Sequence, residues 1–123
     1  MFNQTFVFFY EKWKIYTFLI FILITILSLY PLQERPSIPG SDKIHHLIAY
    51  SALTIGVGVK RPSNYLLIII FFSFYSGLIE IIQPYVNRFR DIEDFLFNNL
   101  GILIGLILGI VIDKILNKNK LLN

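Results

Sequence analysis

Three short polar runs interrupt an otherwise apolar chain, and within each of them the spacing is helical. SDKIHHLIAY sets Asp42, His46 and Tyr50 at successive i, i+4 steps, EIIQ sets Glu80 and Gln83 at i, i+3, and DIEDFLFNN sets Asp91, Asp94 and Asn98 at i, i+3, i+7. Such residues suit acid–base chemistry or the binding of a polar head group. Glu80 lies among Ile79, Ile81 and Ile82, where an ionised carboxylate is costly unless a cation or hydrogen-bond donors offset it. Its candidate partners are Arg88 and Arg90 on the following loop and Lys43 and His46 from the first polar run. As a catalytic set, Glu80 and His46 would exchange protons with Asp94 beside them, and the Arg88 guanidinium would hold a phosphate or carboxylate. Asp42, Lys43, Tyr50, Gln83, Asp91 and Asn98 would then surround the substrate. The structural alternative is an interhelical pair that only fixes packing.

These groups need elements to carry them, and the composition says which. The chain has 123 residues, 55% hydrophobic and only 15% charged, against about 25% charged in soluble domains; its mean hydropathy is +0.65. This is the composition of an all-α, polytopic membrane protein forming a single domain over 1–123. A hydrocarbon core about 30 Å thick takes roughly 20 helical residues. Stretches free of Asp, Glu, Lys and Arg predict four spans in a small bundle, at about 15–32, 44–59, 64–83 and 95–112. The second is short, which predicts local thinning of the bilayer. Pro31 and Pro84 are stop signals for the first and third spans, and Trp13, Tyr16 and Tyr30 are interfacial aromatics.

With four spans both termini share one side. That side carries Lys12, Lys14, Lys60, Arg61, Lys114, Lys118 and Lys120, and the other carries Arg35, Lys43, Arg88 and Arg90. The bias predicts a multi-pass protein of the cell membrane with cytoplasmic termini and all three polar runs at the outer face. The net charge of +3 is spread over the ends of apolar runs and makes no patch, so no nucleic-acid partner is expected. The lipid bilayer is.

In the fourth span the Asp94, Asn98 register continues as Gly101, Gly105 and Gly109. This G-x-x-x-G spacing allows close backbone approach, either to a neighbouring span or, in a homo-oligomer, to a second copy through the Gly101/Gly105 face. No cysteine is present, which excludes thiolate metal sites and cysteine nucleophiles. A hard-ligand set of His46, Glu80 and Asp94 is conceivable, but no His-x-x-x-His spacing supports it, and no metal or cofactor is expected. The inner halves of the spans lack ionisable stepping stones for a proton or ion path.

Over about residues 41–112 the chain resembles the VanZ-like family of small membrane proteins, named for a member associated with resistance to the glycopeptide antibiotic teicoplanin. A motif of the form D-K-x-x-H-x-x-x-Y is met by Asp42, Lys43, His46 and Tyr50. A second, E-x-x-Q followed by R-x-x-[DES]-x-x-D-x-x-x-N-x-x-G-x-x-x-G, is met by Glu80, Gln83, Arg88, Asp91, Asp94, Asn98, Gly101 and Gly105. Arg90 departs from the family's more usual aromatic or apolar residue, and His45 lies outside the motif. The resemblance and the polar runs together imply action on, or binding of, a lipid-linked or cell-envelope component or an anionic lipid head group at the outer face. The alternative is a noncatalytic scaffold or accessory subunit whose polar cluster serves packing, partner or head-group binding.

Overall fold

The long apolar runs form helices, as their length and lack of breakers require. The computed structural model describes residues 2–31, 41–86 and 91–121, without the side chains of residues 2, 3, 41 and 117–121. Five α-helices follow in order: α1 (Phe2–Glu11), α2 (Trp13–Leu29), α3 (Ser41–Lys60), α4 (Tyr65–Ile82) and α5 (Ile92–Leu121), with a 3-10 turn, Gln83–Val86, closing α4. Among the described residues there is no strand.

Two segments, Tyr65–Val86 and Ile92–Leu116, are long and apolar enough to cross a membrane. A third qualifies if α1 and α2 count as one span, although they are bent by 69°. The bend falls at Lys12, whose ψ of 21° leaves the helical range. The sequence pattern had not marked α1 as an element, because Glu11, Lys12 and Lys14 cut its hydropathy short of a span. The first predicted span shifts accordingly. Its helix starts at Trp13 and ends at Leu29 with Tyr30 extended, and residue 32 lies outside the described residues.

α3 does not reach the hydropathy of a span. Its twenty residues make a helix about 30 Å long, with Ser41, Asp42 and Lys43 helical as well, while its charge-free stretch remains 44–59. Its polarity has a packing cause. Leu53, Thr54 and Val57 are fully enclosed, and only Ile44 and Ile48 among its large apolar side chains stand well exposed. α2 and α4, by contrast, turn rows of large apolar residues outward, such as Phe18, Ile22 and Ile26, and Leu67, Ile70 and Phe74. A central helix surrounded by others does not need an apolar circumference.

α3 and α5 run parallel, α4 being the return between them, and they touch along their whole shared length. The partners hold one register: Ser51 Oγ donates to the Gly101 carbonyl across 50 positions, and Arg61 meets Asp113 across 52. Glycine permits this. A methyl at Gly105 would overlap the Ser51 carbonyl and Thr54 Oγ1, and one at Gly58 would lie 2.9 Å from the Gly109 Cα. The Gly101, Gly105, Gly109 face is thus filled by α3 of the same chain, and a second copy finds no open surface there. Thr54 Oγ1 also reaches the Ile102 carbonyl at 2.9 Å.

α2 packs on α3 and α4. The core gathers Trp13 and Ile24 of α2, Tyr50, Leu53 and Val57 of α3, Phe72 of α4, and Ile102 and Leu106 of α5. Phe21, Phe71, Phe72 and Tyr75 form an aromatic cluster between α2 and α4, tied by a hydrogen bond between Thr25 and Tyr75.

Candidate functional site

The register that brings Arg61 to Asp113 at one end of the α3–α5 pair brings two polar layers together at the other. In the outermost layer Asp91 precedes α5 and caps it, its Oδ1 accepting the Glu93 N–H at 2.9 Å, as a short acidic side chain does at an N-cap. Its second oxygen accepts a hydrogen bond from Lys43 Nζ at 3.2 Å. Glu93 at 3.4 Å and Asp42 at 3.9 Å complete a three-carboxylate cradle around that ammonium. The hydrogen bond to Asp91, with Glu93 behind it, raises the Lys43 pKa above the usual 10.5.

One turn deeper, His46 Nδ1 stands 2.7 Å from Asn98 Oδ1, and His46 Nε2 faces Asp94 Oδ2 at 3.7 Å. Both ring nitrogens therefore look at oxygens of α5. His45, one position earlier, is exposed, consistent with the roughly 100° between neighbouring helical residues.

A further turn inward lies the Tyr50 ring, 1% exposed. Glu80 of α4 lies close enough to act electrostatically on its hydroxyl. Glu80 is itself 5% exposed and lines a cleft of about 460 Å³ between α4 and α5 with Gly77, Ile92 and Phe95. Gln83, in the 3-10 turn below Pro84, is 1% exposed and gives its Nε2–H to the Ser28 carbonyl of α2 at 3.1 Å. A second cavity, of about 290 Å³, opens between α2 and α3 against Ser28, His45, His46 and Tyr50.

The polar residues of α3 and α5 meet directly, and Glu80 of α4 and Gln83 of the 3-10 turn close the same end. Lys43 is engaged by Asp42, Asp91 and Glu93, and His46 by Asn98 and Asp94. The expected pairing of Glu80 with Arg88 or Arg90, and the assignment of Arg88 to the catalytic set, fall on residues 87–90, outside the described residues. Among the described residues no three His, Asp or Glu side chains gather as a metal site would require.

Four atoms of this end are buried without a hydrogen-bond partner among the described residues: Tyr50 OH, Gln83 Oε1, Asp94 Oδ1 and Asn98 Nδ2. Buried polar atoms are nearly always satisfied, so these four mark this end as the place where polar partners are missing. The sequence pattern missed the α2 contribution. Thr17, Ile24 and Ser28 are the buried residues that follow Trp13 in α2, and their spacings of seven and four residues were the available signal for an inward face. It also missed Ser73 and Asn99, hydrogen-bonded between α4 and α5. No family model, curated protein or solved structure matches the chain.

Proposed function

We propose that the chain is a VanZ-like membrane protein with four spans and cytoplasmic termini, which takes the polar head of a lipid-linked or cell-envelope component into a buried pocket at the outer face. α3 is its interior span: its length matches a bilayer core, and His46, Ser51 and Thr54 turn their polar groups toward α5. The observation that carries the reading is the set of four buried polar atoms without a hydrogen-bond partner among the described residues, Tyr50 OH, Gln83 Oε1, Asp94 Oδ1 and Asn98 Nδ2, at the end of the molecule where His46 and Tyr50 line one cavity and Glu80 lines another. Gln83 Oε1 and Asp94 Oδ1 accept hydrogen bonds, Asn98 Nδ2 donates, and the Tyr50 hydroxyl can do either. A head group rich in hydroxyl or amine hydrogens meets that pattern. Glu80 is the proton-accepting group of the reaction in its catalytic form, and His46, oriented by Asn98 and Asp94, is the proton carrier. Lys43 closes the rim and orders the start of α5 through Asp91.

The test compares Glu80→Gln with wild type in the native membrane and by native mass spectrometry of the gently solubilised protein. Wild type carries a lipid or envelope precursor; Glu80→Gln inserts and folds, keeps that ligand and loses turnover. A Glu80→Gln protein with full activity removes the catalytic role. Wild-type protein that never carries a head-group-bearing molecule removes the pocket.

A noncatalytic scaffold is favoured by a different observation. The His46–Asn98 contact, the Lys43 cradle and the Arg61–Asp113 pair all join α3 to α5, as packing alone would require. On this reading Glu80→Gln costs assembly or expression and changes no chemistry.

A further inference from the structure

The opposite end of the molecule carries another cavity, of a different kind. α1 turns away from α2 and lies against α3, enclosing about 300 Å³ lined by Phe6, Phe9, Ile55, Val59, Ile112 and Leu116. Apart from Thr5 at its edge and the Gly56 backbone, the lining is hydrocarbon. About 14 Å of helix separates the nearest lining residue from the polar site, since His46 and Ile55 are nine residues apart on α3.

Its mouth is basic. Lys60 Nζ sits 4.0 Å from the centre of the Tyr10 ring, and these two residues directly follow the lining residues Val59 and Phe9 in sequence. Arg61 is exposed and joined to Asp113 at 3.0 Å, next to the lining residue Ile112. Lys12 is exposed at the α1–α2 corner, three residues from Phe9. Against these cations stand Glu11, exposed, and Asp113, already engaged by Arg61. A hydrocarbon slot with cations at its lip matches one class of molecule, an amphiphile with an apolar chain and an anionic head.

The geometry points to a bound anionic phospholipid at this end, one acyl chain in the slot between α1, α3 and α5 and its phosphate at Lys12, Lys60 and Arg61. α1 is then the wall that retains the chain, lying along the interface where such lipids present their heads. The site does not depend on the reading given to the polar pocket, and the two fail independently.

The experiment incubates the full chain in detergent with equal amounts of a phosphatidylglycerol and a phosphatidylcholine of the same acyl composition, and reads retention by native mass spectrometry. Wild type retains one phosphatidylglycerol in preference to phosphatidylcholine. Lys12→Gln and Lys60→Gln each reduce that preference about fivefold, the contribution of one basic residue near an anionic lipid surface, and high salt reduces it further. Ile112→Phe fills the slot and removes retention of both lipids. Should that variant fail to fold, the lysine variants and the salt series still decide the matter, because they change only the charged rim. Equal retention of the two lipids by wild type overturns the proposal, as does a preference unchanged by both lysine variants. Undiminished retention in a folded Ile112→Phe protein overturns it as well.

Discussion

His46 Nδ1 and Asn98 Oδ1 stand 2.7 Å apart, joining the second turns of two parallel helices across 52 positions of sequence. Asn98 is fully buried, so its loss leaves an imidazole facing hydrocarbon on one side. Asn98→Leu is expected to cost about 1–3 kcal/mol. In a double-mutant cycle with His46→Ala the pair should couple by roughly 0.5–3 kcal/mol. Reversible unfolding in mixed micelles measures both, and additive effects would show that the contact carries no energy of its own.

The glycines of α5 should differ sharply from the one in α4. Gly105→Ala drives a methyl into the Ser51 carbonyl and Thr54 Oγ1, backbone and fully buried side chain, whereas a methyl at Gly77 meets only the edge of the Phe95 ring at 3.2 Å. Overpacking of this kind costs about 1–3 kcal/mol or more where the neighbours cannot move. Gly105→Ala is therefore expected to fall in or above that range and Gly77→Ala below it, by the same unfolding measurement. Equal costs would mean that α3 and α5 can separate freely.

Much of this arrangement was legible beforehand, for a definite reason. A helix repeats every 3.6 residues, so Asp42, His46 and Tyr50, and Asp94, Asn98, Gly101 and Gly105, announced two faces from spacing alone, and those faces meet. Less legible were the elements whose hydropathy did not match their position. α1 is cut off by three charged residues in four positions, Glu11, Lys12 and Lys14, and α3 is polar because other helices shield it. Arg61 with Asp113 went unnoticed because one sits just past the end of α3 and the other inside the last apolar run, and only the parallel register brings them together. The α2 contribution through Ser28 is a backbone carbonyl, which no side-chain pattern reveals.

Lys43 gives a prediction in pH. Its pKa is raised by the hydrogen bond to Asp91 and by Glu93. A lysine raised in the folded state contributes stability that is complete below its unfolded value and is lost as pH climbs through its folded value. The difference in melting temperature between wild type and Lys43→Gln should hold steady from neutral pH up to the ordinary lysine range near 10.5 and close above it. A difference that closes well below that range would place its origin elsewhere.

Arg61 tests the other end. It closes α3 with its N–H on the Val57 carbonyl at 2.7 Å and a φ of +44°, a conformation that glycine adopts without steric cost. Arg61→Ala and Arg61→Gly both remove the ion pair with Asp113, but only the second relieves the backbone. The glycine variant should be the more stable of the two by about 1 kcal/mol. Equal stabilities would show that the turn relaxes when the side chain goes.

The hydroxyls of Ser51 and Thr54 donate to carbonyls of Gly101 and Ile102, residues synthesised about fifty positions later. Until the ribosome has made α5, the helix that ends up at the centre lacks the neighbour that accepts those bonds and lines its glycine face. Its settled place among the other helices is therefore a late event in biogenesis. A chain truncated before Gly101 should leave α3 accessible to water-soluble labels even with its own sequence complete.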